Sequence, residues 1–305
     1  MTERVLSRRD VHQTITDKIV AAIEAGAGEY RMPWHRHGPS ASRPINASTG
    51  KAYHGVNVIT LWAEAGARRF DSGYWATYRQ WRELGAQVRK GARGSTIVFY
   101  KAIEPEVDDR KGEAEENPKP KLMARASWVF NADQVEGWAP LKPETRTEVE
   151  IRSHVETFIA ATRADIRYGG DRAYYHIPGD YIAVPYPEQF VATETSSATE
   201  CFYSVKLHEL IHWTGAKPRL DRSLSARFGD HAYAMEELIA EFGAAFLCAD
   251  LHIANEPRLD HACYVSSWLS VLNRERTALF TAANKASAAA AYLQFMTAGA
   301  REKAA

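Results

Sequence analysis

The sequence predicts an α+β protein of two domains, and three observations carry that prediction. Its 305 residues are long for one compact core and comfortable for two. Runs of helical period and runs of β-rich residues are interspersed along the chain. Prolines and charges cluster at Trp138–Glu148 (WAPLKPETRTE), where a linker is expected, dividing the chain into 1–140 and 148–305.

The elements follow in order. From Ser7 to Ala25, Val11, Ile15, Ile19 and Ile23 recur at helical spacing, and Gly26 is positioned to stop the helix. Further helices are expected at Val56–Gly66 and at Trp75–Leu84, the second closed by Gly85. STIVFYK (Ser95–Lys101) and LMARASWVF (Leu122–Phe130) read as an antiparallel pair. Between them, 104–121 is almost wholly charged with three prolines. It has too little apolar surface to order itself and is expected to be an exposed or disordered insertion. A helix over Glu148–Thr162 leads to AYYHI and YIAVP around a Pro-Gly-Asp turn, a hairpin signal. Two long helices, Ser197–Thr214 and Ala232–Leu251, precede a helical C-terminal region.

Composition narrows the setting. With 45% hydrophobic and 25% charged residues, the chain can build a core without staples. No stretch approaches the roughly 18 apolar residues of a membrane helix, and the N-terminus shows no secretory h-region. Three cysteines (Cys201, Cys248, Cys263), without paired spacing, argue against a disulfide framework or a Cys-type zinc ribbon. A cytoplasmic location is expected. The net charge of zero hides an asymmetry: residues 1–103 hold 16 Lys/Arg against 8 Asp/Glu. A surplus of that kind in one half points to a polyanionic partner.

The clearest chemistry lies at His208-Glu209-Leu210-Ile211-His212, an HExxH motif. On a helix, positions i and i+4 share a face, so both imidazoles can reach one cation. Glu209, offset from that line, can approach a water beside the cation without ligating the cation itself, as a general base must. A salt-bridged helix face is the competing reading. A catalytic zinc site needs a third protein ligand. Glu236, Glu237 and Glu241 follow on a helix otherwise rich in Ala, Leu, Ile and Phe, where unpaired acids are costly. Glu237 is assigned as the third ligand, and Glu241 as an outer acceptor holding a ligand imidazole by its other N–H. Glu236 is expected to face solvent, and an exchange of roles with Glu237 is the alternative. Gly243, Ala244 and Ala245 would let this helix approach the first closely. Zn2+ is the expected cofactor, and Mn2+ or Co2+ suits the same ligands.

Here the chain resembles a known family. HELIH followed by E-x-x-x-E looks like the gluzincin branch of zinc metallopeptidases. More narrowly, DYIAVPYPEQF, CFYSVKLHELIHWTGAKPRLDR and YAMEELIAEFGAAFL are similar to the C-terminal domain of ArdC-type antirestriction proteins. YHGVN, TYRQW, VRKGARG and FNADQVEG match the pattern of the N-terminal domains of those proteins. The resemblance implies a single-stranded DNA-binding domain followed by a zincin-like metallopeptidase domain, on a conjugative element. YIAVP (Tyr181–Pro185) is then the candidate edge strand for extended substrate, or else simply one strand of a buried hairpin.

The basic half fits such a partner. Aromatic faces on which bases stack, interleaved with cations, are what sequence-independent single-strand binding requires. Arg89, Lys90 and Arg93, in a Gly-flanked turn, are the leading contacts, with Tyr53, Trp34 and Tyr78 as stacking candidates. Many of the aromatics, Trp62 and Phe99 especially, read equally well as core. His35 and His37 beside Arg36 are weaker phosphate candidates. Two functions remain. One is a peptidase brought to DNA to cut an unidentified protein. The other is a protein that coats incoming single strands, with a metal site that is structural or dispensable. A nuclease is disfavoured, because the basic half has no carboxylate cluster of metal-pair spacing.

Overall fold

Among the described residues, four helix N-termini or turns are set by the same local device, a Ser, Thr or Asn that accepts from the backbone two or three residues on while a Glu or Gln reaches back. It opens the helices at Thr77/Gln80, Thr147/Glu150 and Ser197/Glu200 and a single 3-10 turn at Asn131/Gln134. The computed structural model describes residues 8–27, 32–35, 42–103, 121–140, 147–222, 231–254, 261–275 and 277–302. The charged insertion up to residue 120, the linker residues 141–146, and Arg36 and His37 lie outside them.

The N-terminal half opens with α1 (Arg8–Gly26), whose Val11, Ile15, Ile19 and Ile23 are all buried, as their spacing requires. β1 (Ile45–Asn46) precedes α2 (Val56–Arg68). The helix expected from Trp75 begins later. Trp75 and Ala76 belong to β2 (Tyr74–Ala76), which pairs on both sides, and the Thr77 cap delays α3 to Tyr78–Glu83. β3 (Gln87–Val88) follows, then β4 (Ser95–Ile103), β5 (Lys121–Asn131) and β6 (Val135–Glu136). β4 and β5 pair antiparallel from Ser95↔Val129 to Ile103↔Lys121, the expected long hairpin. The sheet order is β1-β2-β5-β4, with β3 and β6 forming a separate ribbon.

The C-terminal half begins with α4 (Glu148–Thr162), then β7 (Asp165–Tyr168), β8 (Tyr174–His176) and β9 (Tyr181–Val184). The Pro-Gly-Asp hairpin of β8 and β9 forms as expected, with Asp180 at φ 49° in its turn. The sheet order is β7-β9-β8, so YIAVP is a central strand, hydrogen-bonded on both sides, and not an edge. The outer strand beside the next helix is β8. That helix is α5 (Ala198–Thr214), followed by α6 (His231–Leu251), α7 (His261–Arg274) and α8 (Ala278–Glu302).

One apolar core runs through both halves. Trp34 packs edge-on to Phe242 of α6 at 4.7 Å, and Trp62 of α2 lies 5.9 Å from Phe246. Gly55 donates to Ser287 of α8 at 3.0 Å, and Arg43 pairs with Asp250 at 2.8 Å. A second, small cluster of Ala76, Trp81, Ala86, Val88 and Val135 supports the turn after β3.

Candidate metal centre

α5 and α6 approach closely because α6 has no side chain where they touch. A Cβ on Gly243 would stand 2.8–3.0 Å from three carbons of Ile211, inside van der Waals contact. This brings HExxH on α5 against the Glu237 turn of α6. His208 Nε2 and His212 Nε2 lie 3.2 Å apart, and the two Glu237 carboxylate oxygens lie 3.5 Å from His208 Nε2 and His212 Nε2 respectively. Tetrahedral zinc with nitrogen ligands at ~2.05 Å would hold neighbouring donors ~3.3 Å apart. The three side chains therefore present donors at the spacing a divalent cation asks for. His212 and Glu237 keep 13% and 10% of their side-chain surface, so the trio opens toward solvent on that side.

The charges around the trio favour a cation. Burial alone would strip His212 of its proton, yet Glu237 and Glu236 outweigh it and push its pKa to about 10. Burial likewise opposes ionisation of Glu237, but His212 and His208 hold it well below the usual carboxylate range. Glu209 is buried and close enough to add to the field at His212. Such a field serves a divalent cation equally well.

Glu236 corrects its expectation. It is buried, not solvent-facing, because Arg222 clamps it with Nη2 at 2.7 Å and Nε at 3.1 Å, while His212 Nδ1 lies 3.3 Å away. Arg222 also donates to Thr214 Oγ1 at 2.8 Å and Ile211 O at 2.7 Å, tying the end of α5 to α6. Glu241 stands behind His208, with Oε2 at 3.6 Å from Nδ1. Two side chains near the centre were not read from the sequence. Tyr233, one turn before Glu237, has its phenol raised by burial and by Glu237, and its oxygen lies 3.0 Å from that of Tyr264. Arg219 stacks on Trp213 with its guanidinium carbon 3.9 Å from the ring centroid, and binds Asp180 (Nη1–Oδ2 3.0 Å) and Tyr175, fastening the β8–β9 turn to α5. The i, i+4 spacing of Tyr233 and Glu237 was the available signal for the first; Arg219 lies in the KPRLDR stretch that carries the family resemblance, but no pattern there names its partners.

Two family models match the chain: a zincin-like metallopeptidase over residues 153–285 and the N-terminal domain of the anti-restriction factor ArdC over residues 9–130. The crystal structure of the antirestriction ArdC protein from plasmid R388, metal-free, matches with TM-score 0.75 and 40% identity over 95% of this chain and 98% of that one. The chain belongs to the ArdC antirestriction family. An Mn(II)-bound structure of the R388 ArdC matches with TM-score 0.73 at 39% identity, over 95% of this chain and 98% of that one. A Sinorhizobium fredii (strain NBRC 101917 / NGR234) relative, uncharacterized protein y4eC, is 45% identical over 91% of this chain and 89% of its own length. An Escherichia coli DNA primase TraC is 34% identical over 92% of this chain, which spans only 20% of that protein. A zincin-like domain and a manganese-bound relative point to a divalent metal for the ArdC fold.

The N-terminal ArdC half carries the basic turn on its surface. Arg89, Lys90 and Arg93 are all exposed; Arg89 pairs with Glu136 at 3.5 Å and donates to Asp133 O at 3.0 Å. Gly91 takes φ 84° in that turn, a conformation that favours glycine. A cavity of about 620 Å³ is lined by Tyr78, Arg89, Lys90, Gly91 and Phe130 among others. Tyr78 is 49% exposed, so its ring is available for stacking. Two other expectations fail on burial. Trp34 is 0% exposed and Tyr53 7%, so neither ring face can receive a base. Phe99, which reads equally well as core in the sequence, is 51% exposed, and Trp128 is 43% exposed beside Gly94. Trp128 and Phe130, two residues apart on β5, share one sheet face, and their period-2 spacing is the signal for it in the sequence. Among the described residues no helix is long and apolar enough to cross a membrane.

Proposed function

We propose that this protein binds single-stranded DNA, largely without regard to sequence, through residues 1–140, and carries a zinc peptidase site in residues 148–305. Together these protect DNA entering a cytoplasm by conjugation from restriction. The observation that carries the enzymatic part is the triangle of His208 Nε2, His212 Nε2 and the Glu237 carboxylate, with separations of 3.2–3.5 Å. These three hold the cation; Zn2+ suits an N2O set with an open position, and Mn2+ or Co2+ fits the same donors. When bound, the cation polarises a scissile carbonyl and makes water more acidic.

The chain's own groups supply the rest. Glu209 takes a proton from the attacking water and returns it to the leaving nitrogen. Tyr233 donates to oxygen as negative charge gathers on it. β8, the outer strand beside α5, offers its free edge to an extended substrate of protein origin. On the other half, Arg89, Lys90 and Arg93 neutralise phosphates, and Tyr78, Phe130 and Trp128 stack on bases.

A second reading, a coating protein whose metal site is structural or dispensable, draws support from the basic turn resting on its own small apolar cluster. The two separate in an assay of conjugative transfer into a restricting recipient. Glu209→Ala should abolish protection while leaving single-strand affinity intact. Full protection by that variant, with loss of protection on neutralising Arg89, Lys90 and Arg93, would establish the coating reading.

A further inference from the structure

One contact joins residues 32–35 to α6 beside the metal centre. Met32-Pro33-Trp34-His35 forms a turn closed by His35 N–H to Met32 O at 3.0 Å, with proline at its second position, where a fixed φ suits the turn. The turn delivers two side chains to α6. Trp34 Nε1–H donates to Glu241 Oε1 at 3.0 Å, and His35 Nε2 lies 2.8 Å from the same oxygen.

The backbone decides which ring nitrogen of His35 carries the proton. Met32 N–H donates to His35 Nδ1 at 3.0 Å, so Nδ1 is the acceptor and Nε2–H must be the donor to Glu241. Glu241 therefore accepts two hydrogen bonds on Oε1, both from the N-terminal half. Both side chains of the His35–Glu241 contact are nearly buried. Two such donors fix the plane of the carboxylate. Its other oxygen then faces His208 Nδ1 at 3.6 Å. A carboxylate there favours the imidazole tautomer that keeps its proton on Nδ1, facing Oε2, and so leaves the Nε2 lone pair for a cation, at the corner shared with His212 and Glu237.

We infer that the Met32–His35 turn of the DNA-binding half is a positioning element of the metal centre, with Trp34 and His35 acting through Glu241 on His208. The inference rests on His208, His212 and Glu237 being the metal ligands. Its consequence is linkage: docking of the turn strengthens metal binding, and metal binding strengthens docking by the same factor.

The test uses the full chain and Zn2+ in competition with a chromophoric chelator. Removing a group that holds a ligand imidazole costs about 10- to 100-fold in metal affinity, and a donor one contact further out is expected at the low end of that range. His35→Leu is expected to weaken zinc about tenfold or more, and Trp34→Phe, which keeps the ring and loses the donor, by a smaller factor. His35→Gln, which restores an N–H toward Glu241, should recover most of the loss. The visible spectrum of the Co2+-loaded protein should shift in His35→Leu and return in His35→Gln, which simple loosening of the fold would not produce. If His35→Leu folds poorly, hydrogen exchange in the unaltered protein decides: zinc should slow exchange of the Met32 and His35 amides. Folded variants with unchanged zinc affinity and unchanged Co2+ spectra would overturn the inference, as would amide exchange indifferent to zinc. A parent protein that takes up no metal would instead overturn the ligand assignment, and the inference with it.

Discussion

Glu209 and Glu237 lie one helix apart at the same centre, and their different roles predict different losses. Glu237→Ala removes a ligand and should empty the site. Glu209→Gln keeps the volume and removes only the base, so metal content should stay near that of the parent while protection against restriction is lost. Metal analysis beside a transfer assay checks both, and loss of metal from Glu209→Gln would contradict the separation of roles. A second residue-level prediction concerns Asp180, held below the usual carboxylate range chiefly by hydrogen bonds from Arg219. Its folded pKa lies below the unfolded one. The pair therefore contributes stability that is complete above the unfolded value and lost as pH falls through the folded one. Asp180→Asn should flatten the decline in stability below about pH 4, read from urea midpoints across pH. An unchanged acid limb would contradict the pairing. The spacing of HExxH made His208 and His212 legible in the sequence, and the apolar helix marked Glu236, Glu237 and Glu241 as the acids to choose among, with the choice of Glu237 over Glu236 left open. Arg222 was not legible: it lies 14 residues from Glu236, and only the packing of α5 against α6 brings them together.

At the scale of elements, Gly243 sets the distance between α5 and α6. Gly243→Ala gains about 1 kcal/mol of helix propensity. Against that, its Cβ meets Ile211 at 2.8–3.0 Å, and Ile211 is fully buried. Overpacking of that kind costs about 1–3 kcal/mol, so the net expectation is a lower melting temperature with weaker metal binding. A melting temperature raised by the substitution would show that the helices can part at no cost. The helices with clean 3.6 periodicity, α1 and α2, and the capped α4 and α5, were read from the sequence nearly to their ends. β2 was not, because Trp75 and Ala76 take their strand conformation from neighbours on both sides, which no local pattern records. The rank of YIAVP within its sheet was hidden for the same reason: β7 joins it from 16 residues away.

Across the whole molecule, the charge surplus of the N-terminal half and the apolar core that joins both halves answer different questions. The surplus predicts salt-dependent binding. Replacing Arg89, Lys90 and Arg93 together by Ala should weaken affinity for single strands of any sequence, and reduce the slope of log K against log salt by about 2, at roughly 0.7 per phosphate contact. Fluorescence anisotropy with unrelated oligonucleotides at several salt concentrations measures it, and an unchanged slope would move the DNA surface elsewhere. The sequence suggested this surface through charge, but misjudged its aromatics. Trp34 and Tyr53 sit among basic residues in the chain yet are buried in the fold, and Phe99, apparently core, is exposed. Interleaving along the chain does not say which way a ring faces. The shared core is also invisible in the sequence, since nothing in the MPWH turn announces its contact with Glu241, 206 residues from His35.

The account depends most on the three-ligand centre. Metal content by mass spectrometry of the purified full chain, beside Glu237→Ala, tests it directly. The prediction is a single divalent cation per parent chain and near-complete loss in the variant. A parent protein without metal, or a folded Glu237→Ala that retains it, would contradict the account.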